Sequence, residues 1–177
     1  MINFYLKISF FLITFFLHSN AFALNIATLN LQFIFTNSQS YNVFLNELNI
    51  YKQKQEKIIK DRESILINQK EELESLKLIA NETEVLLKTD EYNKSLKKLM
   101  EFIDGINTNI STNIENNEKI INNLIIDISK NISENNEIDL ILTEGQYFIS
   151  SSSIDISNEI LISLDKRNIK LNFNINN

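Results

Sequence analysis

The stretch EIDLILTEGQYFISSSSIDIS, Glu137 to Ser157, contains two short β-patterned runs separated by Gly145. In both runs apolar residues recur at every second position: Ile138, Leu140 and Leu142 in the first, Tyr147 and Ile149 in the second. Two such runs on either side of a glycine predict a β-hairpin. Gly145 is then expected to supply a positive φ in the turn.

The chain around this stretch has an unusual composition for a protein of 177 residues. It contains no proline and no cysteine, and glycine occurs only at positions 105 and 145. Such a chain can form long unbroken helices, and it has no disulfide, thiolate nucleophile or cysteine zinc site. Its net charge of −6 argues against nucleic acid as a partner.

The N-terminal segment has the three-part pattern of a secretory signal. A short start with one cation, Lys7, precedes the apolar run ISFFLITFFL at Ile8 to Leu17, and Ala21-Phe22-Ala23 supplies small residues for cleavage. The apolar run is shorter than the roughly 20 residues that span a bilayer. We therefore predict a cleavable signal peptide over residues 1–23 and a secreted chain. The mature chain would contain no histidine, because His18 is lost.

The middle of the chain shows apolar residues at a repeating spacing of four and three. This pattern and its dense surface charge predict a long helical hairpin, the arm, over residues 40–136. Thr89 or Asp90 could cap its second helix, which places the tip near 87–90. In the first helix the seam positions are Phe44, Leu48, Tyr51, Ile58, Ile65, Leu76 and Ile79, with polar Gln55, Arg62, Gln69 and Glu72 between them. In the second they are Tyr92, Leu96, Leu99, Ile103, Ile106, Ile110, Asn113, Asn117, Ile120, Leu124, Ile128 and Ile132.

A hairpin of two nearly equal helices returns the chain to its starting point. The predicted β-hairpin can then pair with a strand near residues 25–30, which gives an α+β fold with a small β-body formed by residues 24–39 and 137–167. A closing helix over residues 154–167 and a polar tail over residues 168–177 complete it. The predicted body-core residues are Ile26, Leu29, Phe35, Ile138, Leu140, Leu142, Tyr147 and Ile149. So small a core predicts oligomerisation through the body.

The mature chain lacks the residues of common catalytic sites. Without histidine or cysteine, Ser/His and Cys/His nucleophile systems are excluded, and two glycines forty residues apart cannot form a phosphate-binding loop. The abundant carboxylates lie mostly on predicted solvated helix faces. We expect no catalytic residue, no cofactor and no metal.

The order of signal peptide, strand, helical hairpin, β-hairpin and helix resembles the Skp/OmpH family of periplasmic chaperones. IATLNLQFIF (Ile26–Phe35) is similar to the opening strand of that family and the turn after it. IDLILTEGQYFISSSSIDISNEILISLDK (Ile138–Lys166) is similar to its strand, Ser/Asp-rich link and final helix. LKTDEYNKSLKKL (Leu87–Leu99) resembles the tip of the arm.

This resemblance implies a homotrimer shaped like a jellyfish, with the bodies joined as a cap above three helical arms. Such an assembly would hold unfolded outer-membrane β-barrel proteins in the cavity between the arms, without ATP. Family members are often basic at the arm tips. Here the stretch from Glu82 to Glu101 contains four lysines and five acidic residues, so its charges nearly cancel. This argues against contact with membrane or lipopolysaccharide.

Four apolar residues near the tip lie beside the seam positions and not on them: Leu78, Leu86, Leu87 and Met100. One hypothesis is that they contact unfolded clients; the other is that they pack inside the hairpin. Gly105 lies in the middle of a predicted helix, where glycine costs about 1 kcal/mol relative to alanine. It is either a flex point that lets the arm splay or a tolerated substitution. The rival to the chaperone hypothesis is a structural envelope spacer or adaptor that binds folded partners.

Overall fold

The computed structural model describes residues 23–175, so the predicted signal peptide lies outside the described residues except for Ala23. Two strands lie near the two ends of this part of the chain, and the residues between them are almost entirely helical. The elements in chain order are β1 (Ile26–Leu29), α1 (Leu31–Asn37), α2 (Gln39–Leu76), α3 (Glu82–Asn136), β2 (Leu140–Thr143) and α4 (Ser157–Lys166).

Side-chain caps divide the first helical stretch in two. The Asn30 side chain accepts a hydrogen bond from the N–H of Phe33 and starts α1, and the Ser38 side chain accepts one from the N–H of Tyr41 and starts α2. The backbone of Ser38 is extended, with φ −62° and ψ 124°, so the two helices meet at an angle. Ser38, in the polar stretch Asn37-Ser38-Gln39-Ser40, is thus the N-cap of α2.

The helices α2 and α3 form the predicted antiparallel arm. Tyr41, near the start of α2, contacts Glu118, whereas Arg62, further along α2, contacts Phe102. The two helices are not equal in length, since α2 has 38 residues and α3 has 55. The part of α3 beyond Glu118 continues past the start of α2 and packs against the body.

The predicted tip near 87–90 is wrong, because the chain turns at residues 77–81. Asn81 is the N-cap of α3, and its Oδ1 accepts a 3.0 Å hydrogen bond from the N–H of Glu84. Thr89 does not cap a helix; its hydroxyl donates to the carbonyl of Val85, one turn earlier, within continuous α3. A Ser, Thr or Asn in a helix can bond either way, and the sequence pattern alone did not distinguish the two cases.

The seam also shifts by one residue in both helices. In α2 the seam passes from Arg62 to buried Leu66 and Leu73, leaving Ile65 exposed. In α3 it passes from Asn117 to buried Ile121, leaving Ile120 exposed. A helix with 3.6 residues per turn drifts by about 20° per heptad relative to a strict seven-residue repeat. Over helices of this length that drift transfers contact to the neighbouring residue.

The predicted β-hairpin is wrong. Strand β2 pairs with β1 in parallel, with Ile26 opposite Leu140 and Leu29 opposite Thr143. The chain after β2 forms a short 3₁₀ turn, Glu144–Gln146, rather than returning as a second strand. Gly145 lies in this turn without a positive φ, so the conformational reason given for it is wrong as well.

Side chains hold this 3₁₀ turn in place. The Gln146 side chain accepts a 2.9 Å hydrogen bond from the N–H of Thr143, and the Glu144 carboxylate accepts one from the N–H of Gln32 at the start of α1. Burial raises the pKa of Glu144, but the main-chain N–H groups of Glu144, Gln32 and Leu31 outweigh it, so the pKa lies below its usual value. The free side of β1 is then occupied by Asp155, through a parallel bridge to Thr28.

The hydrophobic core lies where the base of the arm meets α1, α4 and the sheet. Its centre includes fully buried Ile34, Phe44, Ile121 and Ile160. Of the predicted core residues, Leu29 is buried, and Phe35 and Ile138 pack against the core. Leu142 and Tyr147 are half-buried.

Three predicted core residues, Ile26, Leu140 and Ile149, are exposed in the single chain. Within β2 it is Ile141, not its neighbours Leu140 and Leu142, that packs against the core. A one-residue shift in a strand reverses which face is buried. Ile149 is exposed because the second strand that would have carried it does not form.

Candidate functional site

The arm carries large apolar side chains that the core of this chain does not use. Leu78 is 85% exposed, Leu86 69%, Leu87 62% and Met100 58%. The alternative that these four residues pack inside the hairpin is therefore wrong for the single chain. They lie on the turn at 77–81 and on the first third of α3, at the far end of the arm from the body.

Further exposed apolar residues on the arm were missed by the sequence analysis. Ile65 and Ile79 were assigned to the seam but are 57% and 85% exposed, and Ile67, which no pattern singled out, is 57% exposed. The drift of a 3.6-residue helix against a seven-residue repeat would have removed Ile65 from the seam. Together with the four residues above they form the arm apolar set: Ile65, Ile67, Leu78, Ile79, Leu86, Leu87 and Met100.

Ion pairs neutralise the charge at the far end of the arm. The pairs lie on exposed helix surface at spacings of three or four residues: Lys77–Glu74, Lys88–Glu91, Lys94–Asp90 and Lys97–Glu101. A hydrogen bond from Lys77 lowers the pKa of Glu74, and hydrogen bonds to Glu91 and Asp90 raise the pKa of Lys88 and Lys94. Exposed pairs of this kind contribute little to stability. Their effect is a near-neutral surface between the apolar side chains.

The polar seam of the arm has specific partners. The guanidinium of Arg62 lies 3.8 Å from the centre of the Phe102 ring. This cation–π contact allows a charged residue to occupy a position that a leucine would fill in an ordinary coiled coil. Gln69, about two turns further on, has a buried Oε1 with no hydrogen-bond partner among the described residues. The seam of the outer arm therefore includes a charged residue and a residue with a buried polar atom.

The body carries a second exposed apolar surface, which we call the body patch: Leu24, Ile26, Leu140, Phe148, Ile149 and Ile154. Phe148 is 100% exposed and Ile149 is 83% exposed. The sequence analysis named Ile149 but missed Phe148, because the hairpin pattern directed attention to alternate positions. In the two-stranded sheet only β1 has its outer side occupied, by Asp155. Among the described residues no strand pairs with the outer edge of β2, which lies beside this patch.

A groove of about 590 Å³ lies next to that edge, between β2 and the end of α3. Its apolar walls include Ile126, Ile138 and Leu140. Ser129 also lines it, and its buried Oγ has no hydrogen-bond partner within residues 23–175. A buried hydroxyl without a partner is costly. The groove therefore combines apolar walls with a buried hydroxyl that lacks a partner among the described residues.

Gly105 lies within α3, which continues through it. The residue is exposed, and no atom lies within 4 Å of the position that a Cβ would occupy. No close approach therefore requires glycine here, and the flex-point hypothesis stays a prediction.

Residues 23–175 contain neither a metal-binding cluster nor a membrane-spanning helix. No group of three or more His, Cys, Asp or Glu residues in this range could hold a metal ion. No helix among the described residues is long and apolar enough to cross a bilayer.

Comparisons with known proteins relate this architecture to one family. A family model described as outer membrane protein (OmpH-like) matches residues 25–164. The crystal structure of an OmpH-like outer membrane chaperone from Caulobacter crescentus CB15 superposes with a TM-score of 0.74 at 10% sequence identity, covering 88% of this chain and 92% of that chain. At this identity the superposition establishes the fold alone. No curated protein sequence matches the chain.

Proposed function

The chain belongs to the OmpH-like outer membrane protein family, and from that membership we propose that it is an ATP-independent holdase chaperone of the periplasm. The match confirms the resemblance drawn from the two ends of the sequence, and it supports a chaperone role in general. The proposed clients are unfolded outer-membrane β-barrel proteins, which the chain would keep from aggregating. The predicted signal peptide over residues 1–23 would deliver the chain to the same compartment as these clients.

The observation that carries this proposal is the arm apolar set. Seven large apolar side chains are exposed on an arm whose own seam does not need them. Exposed apolar surface on a soluble protein is typical of a binding site for apolar segments. The residues are spread along the arm instead of forming one deep pocket, which suits a client without fixed structure. Weak, distributed contacts also allow release.

We further propose that the body patch joins three chains into a homotrimer. Its free β2 edge, the exposed Phe148 and the groove with unpartnered Ser129 support a contact between bodies. Three arms extending from one cap would enclose a cavity, and the arm apolar set would line part of it. The small two-stranded sheet is also marginal by itself, which favours assembly.

The test combines native mass spectrometry with an aggregation assay. The chain from Leu24 to Asn177 is mixed with a urea-unfolded outer-membrane β-barrel protein that is diluted into buffer. We expect a species of three chains plus one client, and suppression of client light scattering without ATP. A folded monomer or dimer that leaves the client to precipitate would contradict the proposal and favour a spacer or adaptor.

Substitutions at the arm test which surface binds. The double variant Leu86→Ser, Leu87→Ser removes two exposed apolar side chains, so we expect the client to dissociate about tenfold faster, by the loss of roughly 1–2 kcal/mol of apolar burial. The control is Ile162→Ser on α4, which removes a comparably exposed apolar side chain from the body. If both variants protect the client as well as the parent chain does, the arm apolar set is not the binding surface.

A further inference from the structure

The chain beyond α4 folds back along the arm as an extended strap, residues 169–175. Asn168 turns the chain in this direction through a left-handed backbone, with φ of +47°. In the strap apolar and polar residues alternate strictly, as Ile169, Leu171, Phe173 and Ile175 are separated by Lys170, Asn172 and Asn174. The sequence predicted a polar tail here, either frayed or added to the sheet as an edge strand; the strap instead lies on the arm.

The strap lies on three asparagines of α3 that are spaced four residues apart, Asn109, Asn113 and Asn117. Successive positions at this spacing lie on one face of a helix, and all three side chains are buried. Asn113 and Asn117 occupy predicted seam positions, at which a packed arm would carry leucine or isoleucine, and Asn109 lies one turn before Asn113. We call this row the asparagine ladder.

The ladder binds the main chain of the strap. The Nδ2 groups of Asn109 and Asn113 donate to the carbonyl of Asn174 at 3.2 and 2.8 Å. Asn113 Oδ1 in turn accepts from the N–H of Asn174 at 2.8 Å, so one carboxamide holds both polar groups of a single residue. Asn117 Nδ2 donates to the carbonyl of Asn172 at 3.1 Å. These contacts would form with a strand of any sequence.

The alternate side chains of the strap supply the apolar contacts. Leu171 is buried, and the ring of Phe173 lies 4.8 Å from that of Tyr51 on α2, centre to centre. Ile169 and Phe173 also pack against the core cluster. The groove between α2 and α3 thus holds an extended backbone with an apolar residue at every second position.

We propose that this groove is a binding site for extended polypeptide strands of alternating apolar and polar residues, and that the strap is its resident occupant, which such a strand displaces. The client class rests on the proposed function, because strands of outer-membrane β-barrels alternate in this way over about ten residues. The asparagine ladder favours exchange over permanent packing. Carboxamides exposed by departure of the strap can be hydrated, whereas a row of leucines could not.

Binding of a labelled peptide tests the proposal. The probe is a fluorescent peptide with the sequence of residues 168–175, NIKLNFNI, added to the chain that ends at Asn168. We expect binding in fluorescence anisotropy, and competition by an unlabelled alternating strand from an outer-membrane β-barrel. The chain with its strap intact should bind at least about tenfold more weakly, because the tethered strap has a high effective concentration. A peptide of the same composition with its apolar residues grouped together should compete poorly.

Two matched asparagine variants identify the groove. In the chain that ends at Asn168, Asn113→Leu removes the carboxamide that clamps both main-chain groups, and we expect at least about tenfold weaker binding. Asn116→Leu places the same change on an exposed position of the same helix and should leave binding unchanged. Equal binding by both variants would overturn the proposal.

Removal of the strap could also unfold the chain, which circular dichroism would reveal. In that case the full chain with Phe173→Ser, which weakens the strap without deleting it, replaces the shortened chain and should bind the labelled peptide more tightly than the parent does. Failure of every folded variant to bind the peptide would mean that the strap is only a structural part of the arm.

The outcomes separate this inference from the proposed function. If the parent chain protects unfolded β-barrel protein but no variant binds the peptide, the holdase proposal stands and the strap inference fails. If the groove binds alternating strands but the chain protects no client, the strap inference stands and the holdase proposal fails.

Discussion

Tyr41 shows how one buried polar side chain links the arm to the body. Its hydroxyl donates a 2.8 Å hydrogen bond to Glu118 Oε1 on α3, and its ring packs edge-on against Phe35 of α1 at 5.1 Å and beside Phe44 at 5.8 Å. Burial raises its pKa to about 12, with the hydrogen bond to Glu118 and the negative charge of that residue adding to the effect.

This pKa predicts alkaline destabilisation. An unfolded tyrosine loses its proton near pH 10 and the folded Tyr41 near pH 12, so its contribution to stability is complete below pH 10 and is lost as the pH rises from 10 to 12. Tyr41→Phe should lower the free energy of unfolding at pH 7 by about 1 kcal/mol, through the lost hydrogen bond. Measured by urea unfolding, the free energy of unfolding of the variant should fall less between pH 10 and 12 than that of the parent chain.

The control for this prediction is Tyr92→Phe, at a half-buried position on the arm. Its stability at pH 7 should lie within about 0.5 kcal/mol of the parent value. Identical alkaline declines for the parent chain and Tyr41→Phe would show that the phenol of Tyr41 is not responsible.

Individual residues show which positions could be placed from the sequence and which could not. Leu29 and the seam positions Asn113 and Asn117 could be placed correctly, because local apolar periodicity determines which face of an element is buried. Gly145 could not, since its turn is held partly by the Glu144 carboxylate, which accepts from the main-chain N–H of Gln32 in distant α1. Phe148 was missed because exposure in a loop has no local pattern.

At the scale of the element, α3 provides a test of the flex-point hypothesis. Gly105→Ala adds a methyl group that meets no atom within 4 Å. We therefore expect the free energy of unfolding to rise by about 1 kcal/mol, the ordinary difference between the two residues in a helix. If Gly105 is a flex point, amide exchange around it should slow by more than this stabilisation explains.

The control is Ser111→Ala, at an exposed position of α3 about two turns further on. Serine is a better helix former than glycine, so the gain should be smaller. Equal exchange rates around residue 105 in the parent chain and Gly105→Ala, measured in a chain that has been stabilised as expected, would rule out the flex point.

Elements were predicted better than their ends and pairings. The arm and α4 follow from apolar spacing, which is a property of the helix itself. The turn at 77–81 depends on whether Asn81 or Thr89 caps α3, and both residue types are suited to that position. The parallel pairing of β1 and β2 forms because the arm brings two distant parts of the chain together. The alternating pattern on either side of Gly145 is local, so it predicted pairing with the segment that follows β2.

For the whole molecule, the body patch gives the sharpest prediction. Phe148→Asp together with Leu140→Asp places two carboxylates on the surface that is proposed to join the chains. We expect the trimer to dissociate to monomers at micromolar concentration in light scattering coupled to gel filtration, because charged groups are costly in an apolar contact. Circular dichroism should remain helical, since neither side chain belongs to the core cluster.

The control is Ile162→Asp, which places the same charge on an exposed apolar position of α4. It should leave the assembly state unchanged. If the Phe148→Asp, Leu140→Asp variant stays trimeric, as the control should, the contact between chains lies elsewhere on the molecule.

The parallel pairing of Ile26 with Leu140 has a consequence for the order of folding. The two strands are separated in sequence by the entire arm, and closing so long a loop directly is entropically costly. Helix pairing from the turn at 77–81 shortens the distance step by step, because each added turn brings the two ends closer. The two helices of the arm should therefore pair first at the turn and then towards the body, and the sheet should form last. Strand β1 therefore stays unpaired until almost the whole arm has formed.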